Sequence, residues 1–248
     1  MENHFFRFEF KYPIPLYLMP RVENDLINLG FERDSSNANK RYYVSSIYFD
    51  TPVLSDYSDK SGGFLKRKKI RARIYENTLT MDAPNTPSVW LEIKEKYDMM
   101  IFKRRVLVTP NEWELLLKSP FYANKYISPR LSEAEEKILS EFIFWLAYER
   151  RKPYILIQYK RRAFQLKASK ERIRVTLDYA IKAQKTHDFC PAPMNDVSQK
   201  QAVIEVKFGE KLPWQVKFIL SKYALRRDSY SKYSKGIEAV RRYYPVHR

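Results

Sequence analysis

Five segments of this chain alternate charge and apolar bulk with a period of two. In Lys69-Ile70-Arg71-Ala72-Arg73-Ile74-Tyr75 the odd positions are cationic or polar and the even ones apolar. Arg7-Phe8-Glu9-Phe10-Lys11-Tyr12, Trp90-Leu91-Glu92-Ile93-Lys94-Glu95-Lys96, Arg172-Ile173-Arg174-Val175-Thr176-Leu177-Asp178 and Ile204-Glu205-Val206-Lys207-Phe208 largely repeat the scheme. Successive side chains of a strand point to opposite faces, so each segment reads as an amphipathic strand with one basic stripe. Four of the five stripes also hold a lone carboxylate: Glu9, Glu92, Asp178 and Glu205.

One such strand is ordinary, because antiparallel sheets commonly pack one face and wet the other. The set is not ordinary, since solvated faces usually mix both signs. Here Arg7, Lys11, Lys69, Arg71, Arg73, Lys94, Lys96, Arg172, Arg174 and Lys207 meet only the four carboxylates. Stripes facing one another would repel unless a polyanion lay between them. A closed barrel with a basic polar lumen, its apolar outside coated by helices, meets that requirement.

The rest of the chain supplies those helices and further strands. Strands are expected at about residues 5–12, 41–49, 65–75, 89–96, 101–108, 154–166, 172–180 and 202–208, the first ending at Pro13 and Pro15. A helix opens at Pro20 and stops at Gly30. Thr109-Pro110-Asn111-Glu112 and Ser132-Glu133-Ala134-Glu135 are capping boxes that start two more helices. The first runs to about Lys118. The C-terminal region predicts helices at about 213–224 and 234–244. Residues 53–64, 76–88 and 183–200 read as loops or connections. Strands joined mostly without intervening helices favour an antiparallel sheet, so the class is α+β, an antiparallel β-tunnel coated by helices. No repeat or linker divides residues 1–248, which are expected to form one domain.

Charge and motifs narrow the partners. The 248 residues carry a net charge of +17, which points to a nucleic acid, an anionic membrane or a phosphorylated molecule. The single cysteine, Cys190, excludes an internal disulfide. The N-terminus lacks a signal-peptide pattern and the longest apolar stretch, 138–148, is too short to span a bilayer, so a cytoplasmic protein is expected. Neither a P-loop nor a G-x-G-x-x-G motif occurs. His4, His187 and His247 are too scattered for a zinc site.

In order along the chain, Arg-Phe-Glu-Phe-Lys-Tyr (7–12), Ser-Ile-Tyr-Phe-Asp-Thr (46–51), Arg-Ala-Arg-Ile-Tyr (71–75) and Leu-Glu-Ile-Lys (91–94) are followed by Tyr159-x-Arg161-x-Ala163-Phe164. Arg174-x-Thr176-x-Asp178, Ile-Glu-Val-Lys (204–207) and Ser231-Lys232-Tyr233 complete the set. Over about residues 5–244 this pattern resembles the VTC domain, the polyphosphate polymerase domain of the CYTH-like, triphosphate tunnel metalloenzyme superfamily, in its stand-alone bacterial form.

The resemblance implies transfer of the terminal phosphoryl group of ATP to a growing inorganic polyphosphate chain, with Mn²⁺ or Mg²⁺ as cofactor. It implies Lys11, Arg71, Arg73, Lys94, Arg161 and Lys232 as phosphate ligands, of which Arg71, Arg73, Lys94, Arg161 and Lys232 would serve catalysis. Glu205 would be the metal carboxylate, and Ser231 a donor to phosphate. Glu9 is a second metal carboxylate or a lysine-orienting one. The stripes add Lys69, Lys96, Arg174 and Lys207 to the substrate-binding set. Lys94 and Glu92 share a stripe and are expected to pair.

Alternation alone leaves two runs open. It does not say which of Lys103, Arg104 and Arg105 faces inward. Across 160–162 it favours Lys160 and Arg162, whereas the resemblance favours Arg161. Where some relatives place a second lysine just upstream of the Ser-Lys pair, this chain has Ser229. Coupling synthesis to translocation would need a separate membrane subunit. The competing functions are a tripolyphosphate or nucleoside triphosphate hydrolase of the same superfamily, and a non-catalytic binder of polyphosphate or RNA, with nucleic acid the less favoured partner.

Overall fold

A computed structural model describes residues 8–34, 42–76, 88–98, 100–169, 171, 173–189 and 193–243. The expectations for Arg7, Arg172, His4, His247, Cys190 and most of the 76–88 connection fall outside them.

Ten strands among the described residues form one sheet, and every pairing is antiparallel. In chain order they are β1 (Phe8–Pro15), β2 (Phe31–Arg33), β3 (Tyr42–Asp50), β4 (Lys66–Glu76), β5 (Val89–Tyr97), β6 (Met100–Val108), β7 (Lys152–Leu166), β8 (Ile173–Lys185), β9 (Asn195–Asp196) and β10 (Gln201–Phe208). The ladder runs β1-β10-β8-β7-β3-β4-β5-β6, with β2 added to β7 and β9 to β8. The sheet curls until its end strands β1 and β6 lie side by side. No hydrogen-bonded ladder joins them; Lys94 of β5 instead reaches Glu9 of β1 across the seam, 3.0 Å from both carboxylate oxygens.

Helices pack against both faces of the curl. They are α1 (Met19–Asn28), α2 (Ser55–Ser61), α3 (Pro110–Lys118), α4 (Pro120–Ile127), α5 (Glu133–Tyr148), α6 (Trp214–Lys222) and α7 (Lys232–Tyr243). Both expected capping boxes are present, at Thr109/Glu112 and Ser132/Glu135. One core lies between β4, β5, β6 and helices α3, α4 and α5, centred on Leu91, Ile93, Leu116 and Phe142. A second lies between β1, β7, β8, β10 and helices α1 and α6, centred on Leu26, Phe164, Val175 and Val206.

Helix α7 departs from the expected outer coat. It packs Tyr233, Ile237 and Val240 against Tyr48, Ile155, Ile157 and Tyr159. Ile157 and Tyr159 share the face of Arg161 by strand parity, so α7 closes part of the concave side. Gly236 permits this approach: a methyl group there would lie 2.2 Å from Ile157 Cδ1 and 3.3 Å from Ala183 Cβ.

Four sequence expectations need correction. β1 continues through Pro13 to Pro15, because an end strand has a free edge that needs no N–H. Residues 53–64 contain α2 rather than a continuous loop. The side chains of Asp50 and Thr51 take up its first N–H groups: Thr51 Oγ1 accepts from Ser55 N at 3.0 Å and Asp50 Oδ1 from Asp56 N at 3.1 Å. The connection between the two capping-box helices holds α4, which Pro120 opens. Finally, β8 extends into the expected 183–200 loop, and β9 pairs with it.

Candidate functional site

The concave face encloses a cavity of about 1270 Å³ into which the basic stripes point. Its walls follow from the registers. On β4 and β5, Lys69 lies opposite Lys94 and Arg71 opposite Glu92, while Arg73 faces Ser46 of β3. On β1 and β10, Lys11 lies opposite Glu205 and Glu9 opposite Lys207. Lys207 also lies opposite Arg174 of β8. All thirteen residues expected from the sequence line the cavity: Glu9, Lys11, Lys69, Arg71, Arg73, Lys94, Lys96, Arg161, Arg174, Glu205, Lys207, Ser231 and Lys232.

Two guanidiniums define the centre. Arg71 donates from Nε to Glu92 Oε2 at 2.7 Å and from Nη1 to the Tyr48 hydroxyl at 3.0 Å. Arg73 donates from Nε to Ser46 Oγ at 2.9 Å and brings Nη1 to 3.8 Å from Glu92. Lys103 also reaches Glu92. Glu92 is 0% exposed. Burial alone would push its carboxyl up, but Arg71, Arg73 and Lys103 hold it well below the usual carboxylate range.

A second cluster forms where α7 meets β7 and β8. Arg161 grips Asp178 with two bonds, of 2.6 and 2.7 Å, and Lys232 reaches the same carboxylate at 2.6 Å. The open question at 160–162 is thereby answered in favour of Arg161. Arg162 faces outward to Glu23, and Lys160 lies over the Tyr43 ring. Simple alternation misleads here because Ile155 and Ile157, on the face of Arg161, are apolar and covered by α7.

The remaining cations sit on carboxylates or hydroxyls. Glu9 gathers Lys94, Lys11 at 3.3 Å and Lys207 at 3.7 Å. Glu205 pairs with Lys207 at 3.1 Å. Burial opposes ionisation of both carboxyls, but the surrounding lysines hold each below its ordinary value. The expected pairing of Lys94 with Glu92 is corrected. The fixed register gives Glu92 to Arg71 on one side and Arg105 on the other, and Lys94 swings across the seam to Glu9. Lys69 donates to Ser231 Oγ at 2.9 Å, and Lys11 to the Tyr230 carbonyl at 3.1 Å. Arg174 pairs with Asp34 at 2.9 Å.

The run 103–105 divides. Lys103 joins Glu92, Arg105 lies over the Trp90 ring, and Arg104 binds Glu141 of α5 and Glu95. Lys103 therefore belongs to the central cluster, and Arg104 to the outer layer.

The structure adds residues that the stripes did not assign. Tyr48, Tyr159 and Tyr233 line the cavity, and Tyr48 stacks on Tyr233 with centroids 4.9 Å apart. Burial would raise the Tyr48 phenol, but Arg71, Arg73 and Lys69 bring it down to about 7. Burial, reinforced by Lys11 and Lys94 against Tyr48, brings Lys69 down to about 7 as well. The Tyr48 shift reports the cations around it, whereas that of Lys69 is set first by burial.

Could these residues hold a divalent ion? No cluster of three or more His, Cys, Asp or Glu occurs among the described residues. Glu9 and Glu205 are ionised oxygen donors, diagonal on neighbouring strands. Two carboxylates with phosphate oxygens and water suit a hard cation that arrives with its substrate. No helix among the described residues is long and apolar enough to cross a membrane.

The model of the VTC domain family matches residues 6–241. No curated protein matches the chain. Among solved structures, a candidate adenylate cyclase from Bacillus halodurans superposes with a TM-score of 0.50 at 11% identity, covering 91% of this chain and 94% of the other. A Hippeastrum protein described as a candidate adenylyl cyclase with a dominant triphosphatase activity gives a TM-score of 0.47 at 12% identity, covering 95% and 96%. At such identities the likeness is one of fold.

Proposed function

The chain belongs to the VTC domain family, and we propose that it is an ATP-dependent polyphosphate polymerase built as one domain. One observation carries the reading. Alternate residues of β4, Arg67, Lys69, Arg71 and Arg73, form an unbroken cationic row along the cavity. Six residue steps of a strand span about 20 Å. A row of that length suits a polymer that continues beyond the triphosphate of one nucleotide.

In this reading Arg71 and Arg73 grip the transferring phosphoryl group with planar donor forks, and Lys94, Arg161 and Lys232 neutralise charge on its neighbours. Lys11, Lys69, Arg174, Lys207 and Ser231 hold the remaining phosphates, and Lys96 stands at the outer end of the binding set. A terminal oxygen of the polyphosphate chain attacks the γ-phosphorus, the bond to the β-bridging oxygen breaks, and ADP leaves with that electron pair. The attacking oxygen is already ionised, so no proton moves and no general base is required. Positioning and charge neutralisation carry the rate. Glu205 and Glu9 would hold a divalent ion, Mn²⁺ or Mg²⁺, against the phosphates, where it would offset their mutual repulsion. Glu92 stands behind the two arginines as the group that orients them.

The hydrolase alternative differs in its acceptor, with water replacing the terminal phosphate. Purified protein incubated with ATP and Mn²⁺ is resolved on a polyacrylamide gel stained for polyphosphate. A ladder of lengthening products supports the polymerase. Phosphate release without a ladder selects the hydrolase, and a blank lane with ATP intact leaves only a polyanion binder.

A further inference from the structure

The cationic row continues past the inner site toward the β5–β6 turn. There Arg67 of β4 lies directly opposite Lys96 of β5, one step outside the Lys69–Lys94 pair. Like charges directly opposite on one face of an antiparallel pair repel. Lys94 is relieved by Glu9. Among the described residues, neither Arg67 nor Lys96 has an ion-pair partner, and both line the cavity. Burial, with Arg67 and Arg227 nearby, draws Lys96 below its ordinary value.

A third element closes over this end. The segment 225–231 links α6 to α7 and is tied down where Asp228 N donates to the Lys11 carbonyl at 2.9 Å. Lys60 of α2 reaches it and donates to Ser229 Oγ at 3.0 Å. Two residues further in, Lys69 and Ser231 repeat the same lysine–hydroxyl pairing at 2.9 Å. The two couples mark an outer and an inner step along one path. If the Lys60 ammonium turned to a phosphate oxygen, the Ser229 hydroxyl would be free to donate to the same anion.

We propose that Lys60, Arg67, Lys96 and Ser229 form a rim subsite for the body of a linear inorganic polyphosphate, beyond the phosphates held inside. The proposal rests on the polymerase reading. The ligand chemistry follows from three cations and one hydroxyl placed in line with the inner site, so a flexible chain with charge on every unit engages both. A nucleoside triphosphate would leave the rim empty.

The test is calorimetric titration of the full chain, without nucleotide, against tripolyphosphate and against long-chain polyphosphate. Lys60→Ala is expected to weaken the long chain about tenfold and leave tripolyphosphate within about twofold, with Lys60→Arg restoring the long-chain affinity. An unchanged melting temperature shows that the variants fold. Equal losses for both ligands, or no loss for either, overturn the subsite. Lys60-dependent binding of an RNA oligonucleotide tighter than that of polyphosphate overturns the ligand class. A Lys60-dependent length preference in a protein that makes no polymer supports the subsite and removes the polymerase reading. Polymer synthesis with no Lys60 dependence of long-chain binding does the reverse.

Discussion

Arg71 on β4 and Glu92 on β5 lie directly opposite in the ladder and are joined through Nε and Nη2, each 2.7 Å from Oε2. The carboxylate has no exposed surface, and Arg73 and Lys103 crowd the same group. This one anion allows two guanidiniums to stand side by side with their remaining donors aimed into the cavity.

Removing Glu92 should therefore damage fold and site together. Breaking a buried charge pair from one side costs about 3–5 kcal/mol. Glu92→Ala is expected to lose stability of that order and to weaken tripolyphosphate binding. Glu92→Gln should retain more stability but lose the alignment of Arg71. Urea unfolding and calorimetric titration measure the two effects. Wild-type affinity in Glu92→Gln would show that the arginines need no orienting anion.

Lys69 sets a pH dependence. In the free protein its pKa is drawn down to about 7, by burial first and by neighbouring lysines next. A bound polyanion favours the charged form and raises it again. Binding then takes up a proton above pH 7 and takes up none well below it. Relative to Lys69→Arg, the affinity of the wild type for tripolyphosphate should fall as pH rises above 7, by up to about tenfold per unit for this one proton. Lys69→Arg keeps its charge throughout, so its slope above pH 7 should be shallower than that of the wild type. Parallel slopes would remove Lys69 from the site.

Gly236 tests whether the packing of α7 positions Lys232. A methyl group at this position overlaps the end of the Ile157 side chain and crowds Ala183. Overpacking of this kind typically costs about 1–3 kcal/mol. Gly236→Ala is expected to melt earlier and to bind tripolyphosphate more weakly, because α7 must shift and carry Lys232 away from Asp178. A lower melting temperature with unchanged affinity would separate the helix from the site.

The inner wall was legible in the sequence because β4, β5 and β10 keep strict alternation, which fixed the facing of Arg71, Arg73, Lys94, Glu205 and Lys207. What alternation does not encode is which stripe faces which. The Lys94–Glu9 contact joins strands 85 positions apart across the seam, and no local pattern distinguishes it from a Lys94–Glu92 pair. Arg161 was hidden for a related reason. β7 carries Ile155 and Ile157 on its concave face for α7 to cover, so the polar stripe that would have marked that face is broken. α2 was missed because Asp50 and Thr51 serve equally as turn formers and as acceptors for the first N–H groups of a helix, and only the contacts of their side chains distinguish the two. Lys60 was missed with it.

The most direct measurement is a ³¹P NMR time course of the protein with ATP and Mg²⁺, the diamagnetic ion, compared with Arg71→Ala and Glu205→Ala. The account predicts loss of the ATP signals, growth of ADP and mid-chain phosphate resonances without matching free phosphate, and a drop of about 10²–10³-fold or more in each variant. Release of one free phosphate per ATP with no mid-chain signal, or equal activity in Arg71→Ala, would contradict it.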